Sequence, residues 1–186
     1  MRFEHCRFVP GQLTLTLSYD AFRHESSVEL LSRLSPAARD DAVEECRALL
    51  GTVLPGSDYS REINLTADLQ LGDTMMLRER DTLVGFALAH TAPLVEGRTR
   101  DEVRVLKLVL ADEKRFGAFA KAIANHTRQT GIRKVSFRMQ AEYSAAYAQA
   151  IAMGMHVRWT DLRMSLGDGS VPRAQHAGMA LSNWEI

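Results

Sequence analysis

Apolar and polar positions along the chain change period several times, and each change marks an element. From Gln12 to Ser18 Leu and Thr alternate, the period of a half-buried strand. Ser26 and Ser27 can cap a helix that has Glu29 in its first turn. Ser35-Pro36 opens another helix, since proline fits a first-turn position where its missing N–H costs nothing. The run Ala37 to Leu50 carries Val43, Cys46, Leu49 and Leu50 on one face, and Gly51 reads as its stop. Leu54 to Tyr59 holds Pro55, Gly56, Ser57 and Asp58 and reads as a loop. Tyr59 to Leu71 is a short helix or irregular.

Beyond residue 72 the apolar runs are clearer. Thr74 to Glu79 and Thr82 to Thr91 flank Arg80-Asp81, which predicts a hairpin. Pro93 to Arg100 is a loop, and Glu102 to Leu110 a strand. Lys114 to Thr130 is helical, with Phe116, Phe119, Ile123 and then His126 or Thr127 on the inner stripe, and Gly131 ends it. Ile132 to Arg138 is a strand, and Tyr143 to Met153 is an alanine-rich helix stopped by Gly154. Met155 to Leu166 is a strand, Gly167 to Gly178 a loop, and Met179 to Glu185 a last strand. The order β-β-β-α-β-α-β-β predicts an α/β (α+β) fold, a mixed sheet with helices on its faces. It forms one domain over residues 1–186, helical over 1–72 and sheet-bearing over 73–186.

Composition narrows the function. The 186 residues hold 23 Lys plus Arg against 23 Asp plus Glu, so no basic footprint for nucleic acid is expected. No apolar run approaches the roughly 18 residues that span a bilayer. No leader pattern opens the chain, and Cys6 and Cys46 stand far apart, which together predict a reduced, cytoplasmic setting without a thiolate metal site. The histidines show no metal spacing.

One segment carries chemistry. The strand Val105-Leu106-Lys107-Leu108-Val109-Leu110 runs through Ala111-Asp112-Glu113 into Lys114-Arg115-Phe116-Gly117-Ala118-Phe119. This resembles the acetyl-CoA motif of GNAT acyltransferases, a strand, a short turn, then [R/Q]-x-x-G-x-[G/A] opening a helix. Lys114 stands where Arg or Gln is usual, Gly117 matches the first glycine, and Phe119 stands where a small residue is expected. The likeness extends from about Thr74 to Glu185 and includes Gly154-Met155, where the family commonly has Gly-Phe.

The resemblance implies a splayed central sheet and acetyl-CoA as co-substrate. It implies that backbone groups of Lys107, Leu108 and Val109 bond the pantetheine arm once the neighbouring strand leaves them unpaired. The start of the helix, Lys114, Arg115, Phe116, Gly117, Ala118, Phe119 and Ala120, would hold the pyrophosphate. Free N–H groups and the helix dipole attract it, and Gly117 permits close approach. The partner would be a small-molecule or peptide amine, acetylated in a direct ternary complex; no nucleic acid or membrane partner is implied, and a homodimer is compatible.

Family members often carry a Tyr four residues before the glycine that starts the sixth strand, and an Asn some seven residues earlier. Here those positions are Ala150 and Tyr143. Tyr147 lies four residues after Tyr143 on the same helix face, so either can serve as the acid or both can be packing residues. Glu102 stands near where some members carry a base, against the plain reading of a loop-end acid beside Asp101. His90 ends an apolar strand, where a hydrogen-bonded structural histidine is the ordinary alternative.

Overall fold

The computed structural model describes residues 5–9, 12–16, 27–93, 99–140, 142–158, 160–165 and 178–182. Its strands are β1 (His5–Val9), β2 (Gln12–Thr16), β3 (Glu29–Leu30), β4 (Gly72–Glu79), β5 (Thr82–His90), β6 (Glu102–Leu110), β7 (Lys134–Arg138), β8 (His156–Val157), β9 (Asp161–Ser165) and β10 (Met179–Ser182). The helices are α1 (Pro36–Val53), α2 (Ser60–Asp68), α3 (Phe116–Gln129) and α4 (Ser144–Ala152). The main sheet is open and mostly antiparallel, in the order β3-β4-β5-β6-β7-β2-β8, with β10 attached to β6. Among the described residues only β6 and β7 run parallel. β1 and β9 form a separate pair.

Helices cover both faces. On one, Phe116, Phe119, Ala120 and Ile123 of α3 and Ala146 and Ala150 of α4 pack on Val105, Leu108, Leu110, Phe137 and Leu181. On the other, Ala42, Cys46, Leu50 and Val53 of α1 and Ile63 of α2 pack on Met76, Phe86, Leu88, Val109 and Ala180. Strand side chains alternate between these two cores, so both faces of β5 and β6 are buried and their sequences read as near-continuous apolar runs.

Local signals set the ends. Ser35 Oγ accepts from the Ala38 N–H at the start of α1. Gly131 and Gly154 have φ of 81° and 84° and close both α3 and α4 with paired turns. Their own N–H groups reach the carbonyls of Arg128 and Ile151, and the next N–H groups those of Thr127 and Ala150. Arg80 and Asp81 both take positive φ, 47° and 68°, as a two-residue hairpin turn of matching twist requires.

Some expectations are corrected. No α-helix follows Ser27: Glu29–Leu30 pairs with Met76 and Met75, and one 3-10 turn, Leu31–Arg33, follows. The residue before Pro36 disfavours helix, so the segment is too short to form one. α1 runs past Gly51 to Val53, and Pro55 follows its last residues. The strand expected over Met155 to Leu166 is split into β8 and β9, which belong to different sheets. The strand expected from Gln12 to Ser18 is present as β2 and sits in the main sheet between β7 and the edge strand β8, so the part expected to be helical also contributes strands. Most of the expected loop Gly167 to Gly178 and the end of the last strand lie outside the described residues. Among the described residues no helix is long and apolar enough to cross a membrane.

Candidate functional site

The site begins with a defect in β6. Leu88 faces Lys107 and Ala89 faces Val105, so Leu106 is an extra residue, a bulge. A bulge bends its strand, and β7 leaves at this point. The parallel ladder covers Glu102 to Val105 against Lys134 to Phe137 and ends there. Sheet and helices thus frame a wedge between β6 and β7.

The wedge is filled by β10. Met179, Ala180, Leu181 and Ser182 lie antiparallel to Leu110, Val109, Leu108 and Lys107. The backbone direction on β6 follows from three contacts. The Ala111 N–H donates to the Val84 carbonyl on the β5 side. A Cβ built on Gly85 would come 3.1 Å from the Val109 carbonyl oxygen, and one built on Gly178 2.8 Å from that of Leu110. Backbone groups alternate sides along a strand. Lys107 and Val109 therefore turn theirs to β5, and Leu108 and Leu110 turn theirs to β10. Of the three residues expected to offer free backbone groups, only Leu108 faces the wedge, and its partner there is the chain's own strand.

At the top of β6 the chain turns through Ala111 and Asp112 into a 3-10 turn, Glu113–Arg115, and α3. Asp112 Oδ1 accepts from the Lys114 N–H at 2.9 Å, a carboxylate at a helix start where positive potential favours it. The Gly117 N–H donates to Gln149 Oε1 at 2.8 Å. Glu113 Oε1 accepts from the Ala146 N–H at 2.9 Å, and Arg115 pairs with Glu79. Lys114 and Ala118 are exposed, and Gly117 and Arg115 are half-buried. Phe116, Phe119 and Ala120 are fully buried in the α3 face of the core. These three cannot face a phosphate as long as α3 packs on the sheet.

The candidate acids and bases do not converge. The Tyr143 hydroxyl lies 3.2 Å from both the N–H and the carbonyl oxygen of Ala180, so it accepts from one and donates to the other. Tyr147 is half-buried against the same core. Glu102 is ion-paired with Arg158 at 3.2 Å, at the far end of β6. Six residues separate it from Leu108, roughly 20 Å of extended chain. His90 lies opposite Arg104 on the neighbouring strand, and its Nε2 is 3.0 Å from Thr66 Oγ1. Burial, then the positive charge of Arg104, holds the His90 imidazole below its ordinary range.

The side chain of Lys107 enters a polar cluster that sequence reasoning missed. Its Nζ donates to Ser182 Oγ at 2.7 Å and sits 4.6 Å from the centre of the Tyr59 ring. Ser182 also bonds the Tyr59 side chain, a bond that opposes the upward push of burial on the phenol. Burial pulls the Lys107 amine below its ordinary range, and nearby Glu62 opposes this. The signal was a single lysine within the apolar run of β6; Gln149 offered none. Cys46 is buried and its thiol is pushed up to about 12, which makes it inert. Among the described residues no group of three His, Cys, Asp or Glu is placed to hold a metal. Comparison of the chain with protein-family models and with curated proteins finds no match.

Proposed function

We propose that this chain is a GNAT-type acyltransferase that carries acetyl from acetyl-CoA to a primary amine of a small molecule or peptide. The observation that supports this best is the bulge at Leu106, which parts β6 from β7 just before the strand runs into α3. A parted sheet with a glycine-bearing helix start at its rim is the arrangement the motif implies. Lys114 supplies exposed positive charge at that rim, where Arg115 is paired with Glu79, and Leu108 and Leu110 direct backbone groups into the wedge. The bound thioester would supply an activated acyl group. Tyr143 is the tyrosine of the motif region whose hydroxyl reaches the wedge, which favours it over Tyr147 as a proton donor. With β10 in place, the wedge does not admit a pantetheine arm, so the reading requires that strand to move.

The test is direct. Acetyl-CoA at about 100 times its dissociation constant should stabilise the fold by roughly 2.7 kcal/mol. That is a rise in melting temperature of about 5–11 °C for a domain of this size. No rise at millimolar acetyl-CoA would sink the proposal.

The filled wedge favours a second reading, a GNAT-type domain that binds acyl-CoA in a regulatory or structural role without turnover. Release of free thiol with a panel of primary amines separates the two. Binding without thiol release in any amine supports the second.

A further inference from the structure

We infer that β10 is a strap that holds the wedge closed by occupying the backbone edge an acyl-CoA arm would use. The inference rests on the GNAT-type reading above.

The strap is short, held on one edge by its backbone ladder to β6 and on the other by side chains. Among the described residues β10 pairs with β6 alone. Its outer edge meets the Tyr143 hydroxyl, which satisfies both backbone groups of Ala180. Its end is tied by Ser182 to Lys107 and Tyr59. At its start, a Cβ on Gly178 would lie 2.7 Å from a Val53 methyl of α1 and 2.8 Å from the Leu110 carbonyl, so the strand enters between strand and helix with no room to spare.

The latch and the blocked helix start share one element. Tyr143 is the residue that caps α4, and Gln149 stands within it. The first holds β10 in the wedge, and the second occupies the Gly117 N–H. The α4 start is itself bonded to Glu113 in the turn between β6 and α3, through the Ala146 N–H. A shift of α4 away from α3 therefore withdraws the latch on β10 and the amide on Gly117 together, and a fixed α4 keeps both in place. The latch on the backbone edge and the helix-start donor are released as a unit.

A disulfide tests this in the full-length protein. Val109 and Ala180 face each other across the two strands. The Ala180 backbone groups point to Tyr143 and those of Val109 to β5, so the pair is not hydrogen-bonded to itself. In such pairs the side chains come closest, within reach of a disulfide. The double variant Val109→Cys, Ala180→Cys locks the strap when oxidised and frees it when reduced. The locked form should bind acetyl-CoA at least about a hundredfold more weakly than its reduced form, the order a cross-link imposes on opening. Tyr143→Phe should do the reverse. It leaves both Ala180 groups without that partner in the closed state, so the dissociation constant should fall about tenfold, with a lower melting temperature in the absence of ligand. Acetyl-CoA binding that is equal in the oxidised and reduced forms overturns the strap and leaves the acyltransferase reading standing. Absence of binding in the wild type at millimolar acetyl-CoA removes the acyltransferase reading and the strap with it.

Discussion

Phe119 occupies the position where the resembling motif has a small residue, and its replacement separates packing from ligand binding. The ring is completely buried on the α3 face, among Phe116, Ala120, Ile123 and the strands beneath. Phe119→Ala removes a buried aromatic from a close-packed interior and leaves a cavity that the sheet cannot collapse to fill. Such losses cost about 3–5 kcal/mol. Against a whole-domain stability of about 5–15 kcal/mol, this is a large fraction. The melting temperature should fall by roughly 6–20 °C, at about 2–4 °C per kcal/mol. Urea unfolding should give the same loss with an unchanged slope, which shows that the native state stays compact. Phe119→Gly restores the small residue of the motif and should cost about 1 kcal/mol more, because glycine weakens a helix interior. Neither variant should improve acetyl-CoA binding. A loss under about 1 kcal/mol in Phe119→Ala, or a clear gain of acetyl-CoA affinity in Phe119→Gly, would refute the placement of this side chain in the core.

Gly117→Val acts on the other face of the same turn. A Cβ there falls 2.5 Å from Gln149 Oε1, so the amide must swing away and give up its bond from the Gly117 N–H. The fold should survive with a loss of about 1 kcal/mol, while acetyl-CoA affinity falls at least tenfold, about 1.4 kcal/mol. Unchanged affinity in a folded variant means that the phosphates sit elsewhere. His90 sets an acid limb of stability. Its folded pKa lies below the ordinary 6.5, so the unfolded chain binds the proton more readily. Stability is then full above that pH and is lost as pH falls through the folded value. His90→Gln should flatten this limb in urea titrations across pH 4–7, a window set around the ordinary histidine value of about 6.5, and an unchanged limb assigns the acid sensitivity to another group.

Where one residue settles a local choice, the fold was legible in the sequence. Gly131 and Gly154 stop their helices because their backbone is left-handed, and Ser35-Pro36 starts α1 for reasons local to the first turn. Arg80-Asp81 was read as a turn because two apolar runs flank it, although neither residue prefers positive φ. Glu29–Leu30 was misread because a strand of two residues has no period to show. It is a strand because Met75 and Met76 supply the ladder, and nothing near residue 29 says so. The separation of β8 from β9 was hidden for a similar reason: their partners, β2 and β1, come from the other end of the chain. The four proposed acids and bases scattered because each was judged on its own element, and the register that places Glu102 and His90 at the far end of β6 is a long-range fact.

The wedge shows how far a local reading can go. The run Val105 to Leu110 declares a strand buried on both faces, and the departure of β7 at the bulge leaves Leu108 and Leu110 with backbone groups that must be paired. A bound arm or another strand can do this, and the sequence contains signs of both: the turn into α3 and the terminal run Met179 to Ser182. Magnitudes decide which occupies the resting protein. Met179 and Leu181 are almost fully buried, and burying two such side chains stabilises by roughly 3–6 kcal/mol before any hydrogen bond is counted. A ligand at 100 times its intrinsic dissociation constant for the open wedge supplies roughly 2.7 kcal/mol. The strand therefore holds the wedge in the ligand-free protein, and the apparent acyl-CoA affinity is the intrinsic affinity of the open form reduced by its small population. Lys107 adds to this. Its amine is buried under Tyr59 with Ser182 as partner, and opening the strap takes that partner away. A buried cation that loses a hydrogen bond raises the cost of opening unless water or an incoming polar group replaces the bond. An acceptor or acyl group that offers an oxygen to Lys107 would lower that cost, so the one lysine in β6 biases which ligands can open the sheet.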